Sequence, residues 1–366
     1  MARTKLKEIE GDFNSFPLFN MGKSTNYLFG ANNAWVSDIW AFWNFILLSH
    51  KTKLKGAEKK YAFLQSLLEQ SKYFFQAAEN APIKSQPLLY YYSFMNLAKI
   101  VINISVNDED AVWWNKKYKH GLSELAGSNK SLNDSKVICR EEDNKANIAP
   151  LFLSFLGDVV VDGQDINVKE LLSSCLGIHR AYTQTYNAKE VFYRLDNCHI
   201  TVEGKDMHFE ASVHDCNDKD MSTLNESYHN ISKINRNDDK GNTWIEYVWK
   251  ESFSREKTGI CTKKDLYDLA TVIRHKRVWG ITNGEDVSLY ISNTSVKLST
   301  EGIIYVLMFF FGSITRYNPF LFDELLSDEN KWLMCEFLKT QPKQFIYLVT
   351  NRVLGRNIRQ SWMTKL

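Results

Sequence analysis

The stretch Pro87–Ser105, PLLYYYSFMNLAKIVINIS, decides what kind of fold this chain adopts. It is apolar nearly all round. A helix of that kind sits among other helices, not on a surface. Within it Tyr92, Asn96, Lys99 and Asn103 recur at i, i+4, i+7 and i+11, which draws one polar stripe along a greasy helix. Lys99 is the only charge in the stretch. A buried ammonium costs on the order of several kcal/mol unless it is paired and hydrogen-bonded. The stripe therefore implies a carboxylate from another helix, a lysine that snorkels to water, or a polar site that takes a ligand.

Upstream, Ala57–Glu79 places Tyr61, Leu64, Leu67, Leu68, Phe74, Phe75 and Ala78 at three- and four-residue steps, an amphipathic helix. Asn80, Pro82 and Pro87 separate it from the central stretch. Before it, Ala34–Ser49 reads as a helix apolar on most sides, with Asn32 and Asn33 as N-caps. Residues 1–30 read as an irregular arm.

Downstream, residues 106–149 turn polar, and a β signal follows at Val191–Val213. A two-residue turn at Gly204-Lys205 pairs Val202 with Met207, Ile200 with Phe209 and Cys198 with Ala211 on one apolar face. His199, Thr201, His208, Glu210 and Ser212 fall on the other face, as expected for a hairpin at the edge of a core. Residues 215–242 carry few large aliphatics and read as a mobile surface insertion. A helix over 262–278 is flanked by strand-like Trp244–Trp249 and Val287–Ser292. Helices return over 299–316, 329–340 and 342–359. The expected architecture is α+β but predominantly α: a helical bundle with a small antiparallel sheet. Its core lies in residues 31–105, is completed by 299–366, and a mixed region spans 106–298.

Composition agrees with a folded protein. Of 366 residues 44% are hydrophobic, and ten Trp, 17 Tyr and 22 Phe stand against six Pro. The net charge of +2 supplies no global field towards nucleic acid, so any such binding must come from a local patch. The six cysteines are scattered without a Cys-x-x-Cys pair, which favours free thiols in a reducing compartment over a disulfide framework. The N-terminal MARTKLKEIEGDF has no apolar run of the secretory type. The apolar runs Ala41–Leu48 and Ile303–Phe311 fall short of the ~20 residues that span a bilayer. A cytoplasmic protein with no membrane segment and no cofactor is expected.

Five signals carry possible chemistry. Gly22-Lys23-Ser24-Thr25 has the end of a phosphate-binding loop, but Pro17 stands where that loop needs a glycine. His199, His208 and Glu210 share a flat face that does not converge on a tetrahedral point, so no metal is expected. His120 precedes Gly121 in a basic loop, KKYKHGL, a setting suited to acid–base work. Arg316 closes a very apolar helix in FFFGSITRYNPF, beside Tyr317 and Asn318. The helix dipole favours a cation there, and an anion gripped by the guanidinium is the functional alternative. Arg352, Arg356 and Arg359 at i, i+4 and i+7 form a stripe in a tail without acids, either a solvated face or a site for weak, sequence-independent nucleic-acid contact.

Tyr61–Ile104, with its AENAP break, then HGL at His120–Leu122, then Phe311–Gly355 with FGSITRYNPF, together resemble the bacterial YaaC-like proteins over most of the chain. Tyr61–Ile104 also resembles a HEPN-type helical core. The Arg-to-His spacing of HEPN ribonucleases is matched by Arg194 and His199, which lie in the hairpin and not on a helix, so this second resemblance implies a non-catalytic scaffold. Together the resemblances imply a cytosolic binding or sensing protein in bacterial stress or phage defence, alone, with a protein partner or as a homodimer. The alternative is a metal-independent nuclease or nucleotide-processing enzyme using His120, Lys99 and Arg316.

Overall fold

The computed structural model describes residues 7–8, 33–51, 57–105, 117–125, 132–143, 145–354 and 357–360, less 239, 257, most of 259–277, 284–285 and 328–329. The chain forms two compact units, which divide at 189/190 and 294/295 in its middle. The Gly22–Thr25 motif lies outside the described residues.

The first unit comprises Val36–Lys189 and Ser295–Val353 and is mainly helical. Its principal helices are α1 (Ile39–Lys51), α2 (Ala57–Asn80), α3 (Gln86–Ser105), α4 (Ile148–Leu156), α5 (Thr300–Tyr317), α6 (Pro319–Leu325) and α7 (Lys331–Leu354). Helix α3 is the centre, packed against α2, α4 and α5. The α2–α3 approach is close because Ser71 and Ser93 each donate their Oγ to the other's carbonyl, both at 2.8 Å. The α3–α5 approach is close because Gly312 has no side chain. A Cβ there would lie 3.2 Å from Tyr91 Cβ and 3.3 Å from the Pro87 carbonyl oxygen. Phe94 stacks on Phe345 of α7 with centroids 4.0 Å apart. Tyr91, Phe94 and Ala98 are buried, as are Ile304, Leu307, Met308 and Phe311, while Met95 is half-buried.

The second unit centres on Glu190–Thr294 and is mainly sheet. Its strands are β1 (Lys7–Glu8), β2 (Phe192–Glu203), β3 (Asp206–Val213), β4 (Ile231–Asn237), β5 (Thr243–Ser254), β6 (Trp279–Asn283) and β7 (Asp286–Ser292). The antiparallel order is β4-β5-β3-β2-β7-β6, with β1 beside the end of β2. One face packs Tyr193, Leu195, Ile200, Met207, Phe209 and Trp249 against Leu224 and Tyr228 of a helix at Asp218–Tyr228.

This overturns the expected helical bundle with a small sheet: the fold is mixed α/β, with a seven-stranded sheet as the frame of its own unit. Residues 215–242 are a large part of the reason. They hold a helix and a strand. Asn217 and Asp220 form a capping box that starts the helix at Asp218, and the segment continues into edge strand β4. Lys7–Glu8, expected in an irregular arm, pairs with β2. The hairpin pairs Val202 with Met207 and Ile200 with Phe209, but Cys198 does not pair with Ala211. A bulge between Asp196 and His199, with Asn197 at φ 50°, inserts residues there. The bulge is what lets odd-numbered Tyr193 and Leu195 share a face with even-numbered Ile200.

At the first helix, Asn33–Val36 is a strand, and Asp38 is the cap, accepting from the backbone N–H of Trp40 (2.9 Å) and Ala41 (3.0 Å). Of the helix expected over 262–278 only scattered positions are described, Leu269 and Ile273 among them, both buried. At the C-terminus, α7 runs unbroken through Pro342 and stops at Leu354, and Asn357–Gln360 is a strand. Among the described residues no helix is long and apolar enough to cross a membrane.

Candidate functional site

The polar stripe of α3 meets a loop and the end of α5 within the helical unit. The loop is held by backbone first. Tyr118–Lys119 pairs in parallel with Ala146–Asn147, and Ala149 N–H donates to the His120 carbonyl at 3.0 Å. Gly121 then turns with φ +73°, and a Cβ there would sit 2.5 Å from Pro150 Cδ. Only glycine fits, so the His-Gly dipeptide fixes where the His120 backbone lies.

His120 keeps surface open to solvent while its Nδ1 lies 2.7 Å from the Tyr91 hydroxyl. Its ring packs on Tyr91 and on Phe309, with centroids 5.6 and 6.3 Å away. Burial lowers its pKa below the ordinary histidine range, and the positive fields of Lys99, Arg316 and Lys119 push the same way against Glu124. Burial and the three cations each favour the neutral imidazole. Lys99 and Arg316, from two helices, thus both act on one imidazole.

Lys99 is half-buried, and burial lowers the pKa of its ammonium. Its Nζ reaches Asn96 Oδ1 at 3.4 Å and lies 5.3 Å from the centroid of the Tyr118 ring. Asn103 donates through Nδ2 to the Tyr118 hydroxyl (2.9 Å) and to the Lys99 carbonyl (2.7 Å), and its buried Oδ1 has no hydrogen-bond partner among the described residues. Arg316 is exposed. It donates to the Tyr92 hydroxyl at 3.3 Å, and its guanidinium lies 4.9 Å from the centroid of the 66%-exposed Tyr317 ring. Among the described residues neither Lys99 nor Arg316 is in ion-pair contact with a carboxylate. The carboxylate expected beside Lys99 is thus not found among them.

The sequence-selected residues divide clearly. Lys99, His120, Arg316, Tyr92 and Asn96 gather here, with Asn103 behind them. Asn318 is occupied elsewhere, accepting from Leu321 N–H as the cap of α6. The three arginines of the tail do not share one helix. The stripe needed a helix through Arg359, which lies instead on the strand Asn357–Gln360, and Arg356 is outside the described residues. Arg352 is half-buried and donates through Nε to Glu301 Oε1 at 2.8 Å. On the sheet, Glu210 is held by Lys250 at 2.6 Å and His208 Nδ1 lies 2.9 Å from Ser252 Oγ. Among the described residues no cluster of three or more His, Cys, Asp or Glu is placed to hold a metal ion.

Sequence reasoning missed Tyr91, Tyr118 and Tyr305. Tyrosines inside or beside apolar runs read as core, and nothing in their spacing marks a hydroxyl that will meet a histidine.

No curated protein and no solved structure matches this chain, so the HEPN resemblance finds no support. A family model described as YaaC-like Protein matches residues 32–353, which contain every residue of the site just described. The chain belongs to the YaaC-like family.

Proposed function

We propose that the protein is a binding module for a phosphate-bearing small molecule, a nucleotide foremost, held at Lys99, His120 and Arg316. One observation carries this reading: two cations from separate helices both act on a single histidine, and among the described residues neither is in ion-pair contact with a carboxylate. Like charges brought together repel, and an anion between them removes that cost. The hydroxyls of Tyr92 and Tyr118 and the Asn96 amide add neutral hydrogen-bonding groups. The exposed ring of Tyr317 offers a flat surface beside the guanidinium, of the kind on which a base stacks. Such a site suits a sensor, because a ligand that binds only the folded state stabilises it by mass action.

Calorimetric titration with inorganic phosphate, sulfate and nucleoside mono- and diphosphates tests the proposal. Wild type should bind one of them. Lys99→Met and Arg316→Gln should each weaken binding roughly 10- to 100-fold, the worth of a charged hydrogen bond. Their melting temperatures should stay near wild type, because no buried carboxylate is left unpaired among the described residues. No binding at millimolar concentration, or equal binding by both variants, would contradict the reading. Metal-independent cleavage of the nucleotide by the same three residues differs in one respect, the formation of product, which chromatography of the titrated sample reveals.

A further inference from the structure

Behind His120 the structure holds a second tyrosine hydroxyl. Tyr305 of α5 is fully buried, packed between Tyr91 and Phe152 with ring centroids 6.0 and 5.1 Å away. Its hydroxyl has no hydrogen-bond partner among the described residues. Tyr91 is itself 4% exposed, and its oxygen lies 2.7 Å from His120 Nδ1. The Tyr91 proton is therefore either given to His120 or left in the core.

Neutral groups leave two arrangements for this contact. If His120 carried its proton on Nδ1 and donated it to Tyr91, the Tyr91 proton would be left in the core without an acceptor among the described residues, because the Tyr305 hydroxyl is not in hydrogen-bond contact with it. If Tyr91 donates to Nδ1, only lone pairs of Tyr91 go unused. A buried donor without an acceptor is the rarer orphan. We infer that Tyr91 directs its proton outward and holds His120 as the neutral tautomer that carries its proton on Nε2.

Tyr91 is then a positioning residue for the site. The consequence for function rests on the anion-binding reading. A neutral His120 donates Nε2–H to an anion and needs no protonation to do so. Burial keeps the Tyr91 hydroxyl protonated well beyond its ordinary range, so this donor persists at any physiological pH. The charged groups acting on His120 are Lys99, Arg316, Lys119 and Glu124, and the three cations outweigh the one acid in opposing its protonation.

The test is long-range nitrogen–proton NMR of ¹⁵N-histidine-labelled, ligand-free, full-length protein at pH 8, with the His120 signals assigned by His120→Gln. Wild type should show Nδ1 unprotonated and Nε2 protonated. Tyr91→Phe removes the donor and should give a mixture of tautomers. Tyr305→Phe should look like wild type, because the Tyr91 proton still has His120 as its acceptor. A protonated Nδ1 in wild type, or an altered tautomer in Tyr305→Phe, would overturn the inference, and both measurements stand if Tyr91→Phe fails to fold. Sulfate, whose charge is constant over this pH range, should bind Tyr91→Phe about twofold to tenfold more weakly than wild type. Equal sulfate affinity would overturn the donor role. A wild type that binds no sulfate faults the site itself, and the tautomer signals do not depend on it.

Discussion

The residue with the most perturbed chemistry outside the site is Asp158, just after α4. Its Oδ1 accepts from Ser299 N–H and its Oδ2 from Ser299 Oγ–H, both at 2.7 Å, in the field of the Glu301–Arg352 pair. A Cβ on Gly302 would collide with Asp158 Oδ2, so the space around the carboxyl is filled. Burial raises its pKa to about 7 and Glu301 pushes the same way, against the two Ser299 hydrogen bonds and Arg352. The folded protein therefore holds a proton on Asp158 where the unfolded chain has released it. Stability from this group is full below about pH 4 and is lost as pH rises through about 7. Urea unfolding should show wild type losing about 2–4 kcal/mol more than Asp158→Asn between pH 4 and pH 8. Parallel pH profiles would refute this. None of it was legible in the sequence, where Asp158 follows a glycine in an ordinary-looking loop. Lys99, His120 and Arg316 were legible because each stands out from its neighbours: one charge in a greasy helix, one histidine before a glycine, one arginine ending an apolar run.

At the scale of elements, two things decided what the sequence could reveal. Periodicity reports which face a residue occupies while the pairing stays regular, so the hairpin register next to Gly204-Lys205 was readable. The bulge was not, because one extra residue flips every later side chain and leaves no compositional mark. Asn197 carries that bulge in the left-handed region, its Nδ2 donating to Ser212 Oγ at 3.3 Å. Asn197→Gly should change stability little. Asn197→Val should cost roughly 1–2 kcal/mol, the penalty of that backbone region for a branched side chain. Chemical denaturation of both variants checks it, and an equal loss in the two would assign the effect to the Ser212 contact. Proline misled in the other direction. Pro342 reads as a helix break, yet α7 continues through it because Leu338, Gln341 and Phe345 on either side are buried and hold the helix in place.

At the scale of the whole molecule, the helical unit contains all the groups proposed to bind the ligand, and the sheet unit contributes none of them. The sequence suggested the helical part because α3 and α5 are apolar all round, which few other settings tolerate. It understated the sheet because that sheet is solvated on one face, and half-polar strands look like loop. The near-neutral net charge gave no hint of the site either, since the cations that matter are paired with geometry and not with number. The central claim is that Lys99, Arg316 and His120 form one anion site. It is tested most directly by following the His120 imidazole titration by NMR, with and without sulfate. The account predicts a pKa below the ordinary histidine value in the free protein, raised by sulfate, with the sulfate effect lost in Lys99→Met/Arg316→Gln. A His120 titration that sulfate leaves unmoved, or that moves equally in the double variant, would contradict it.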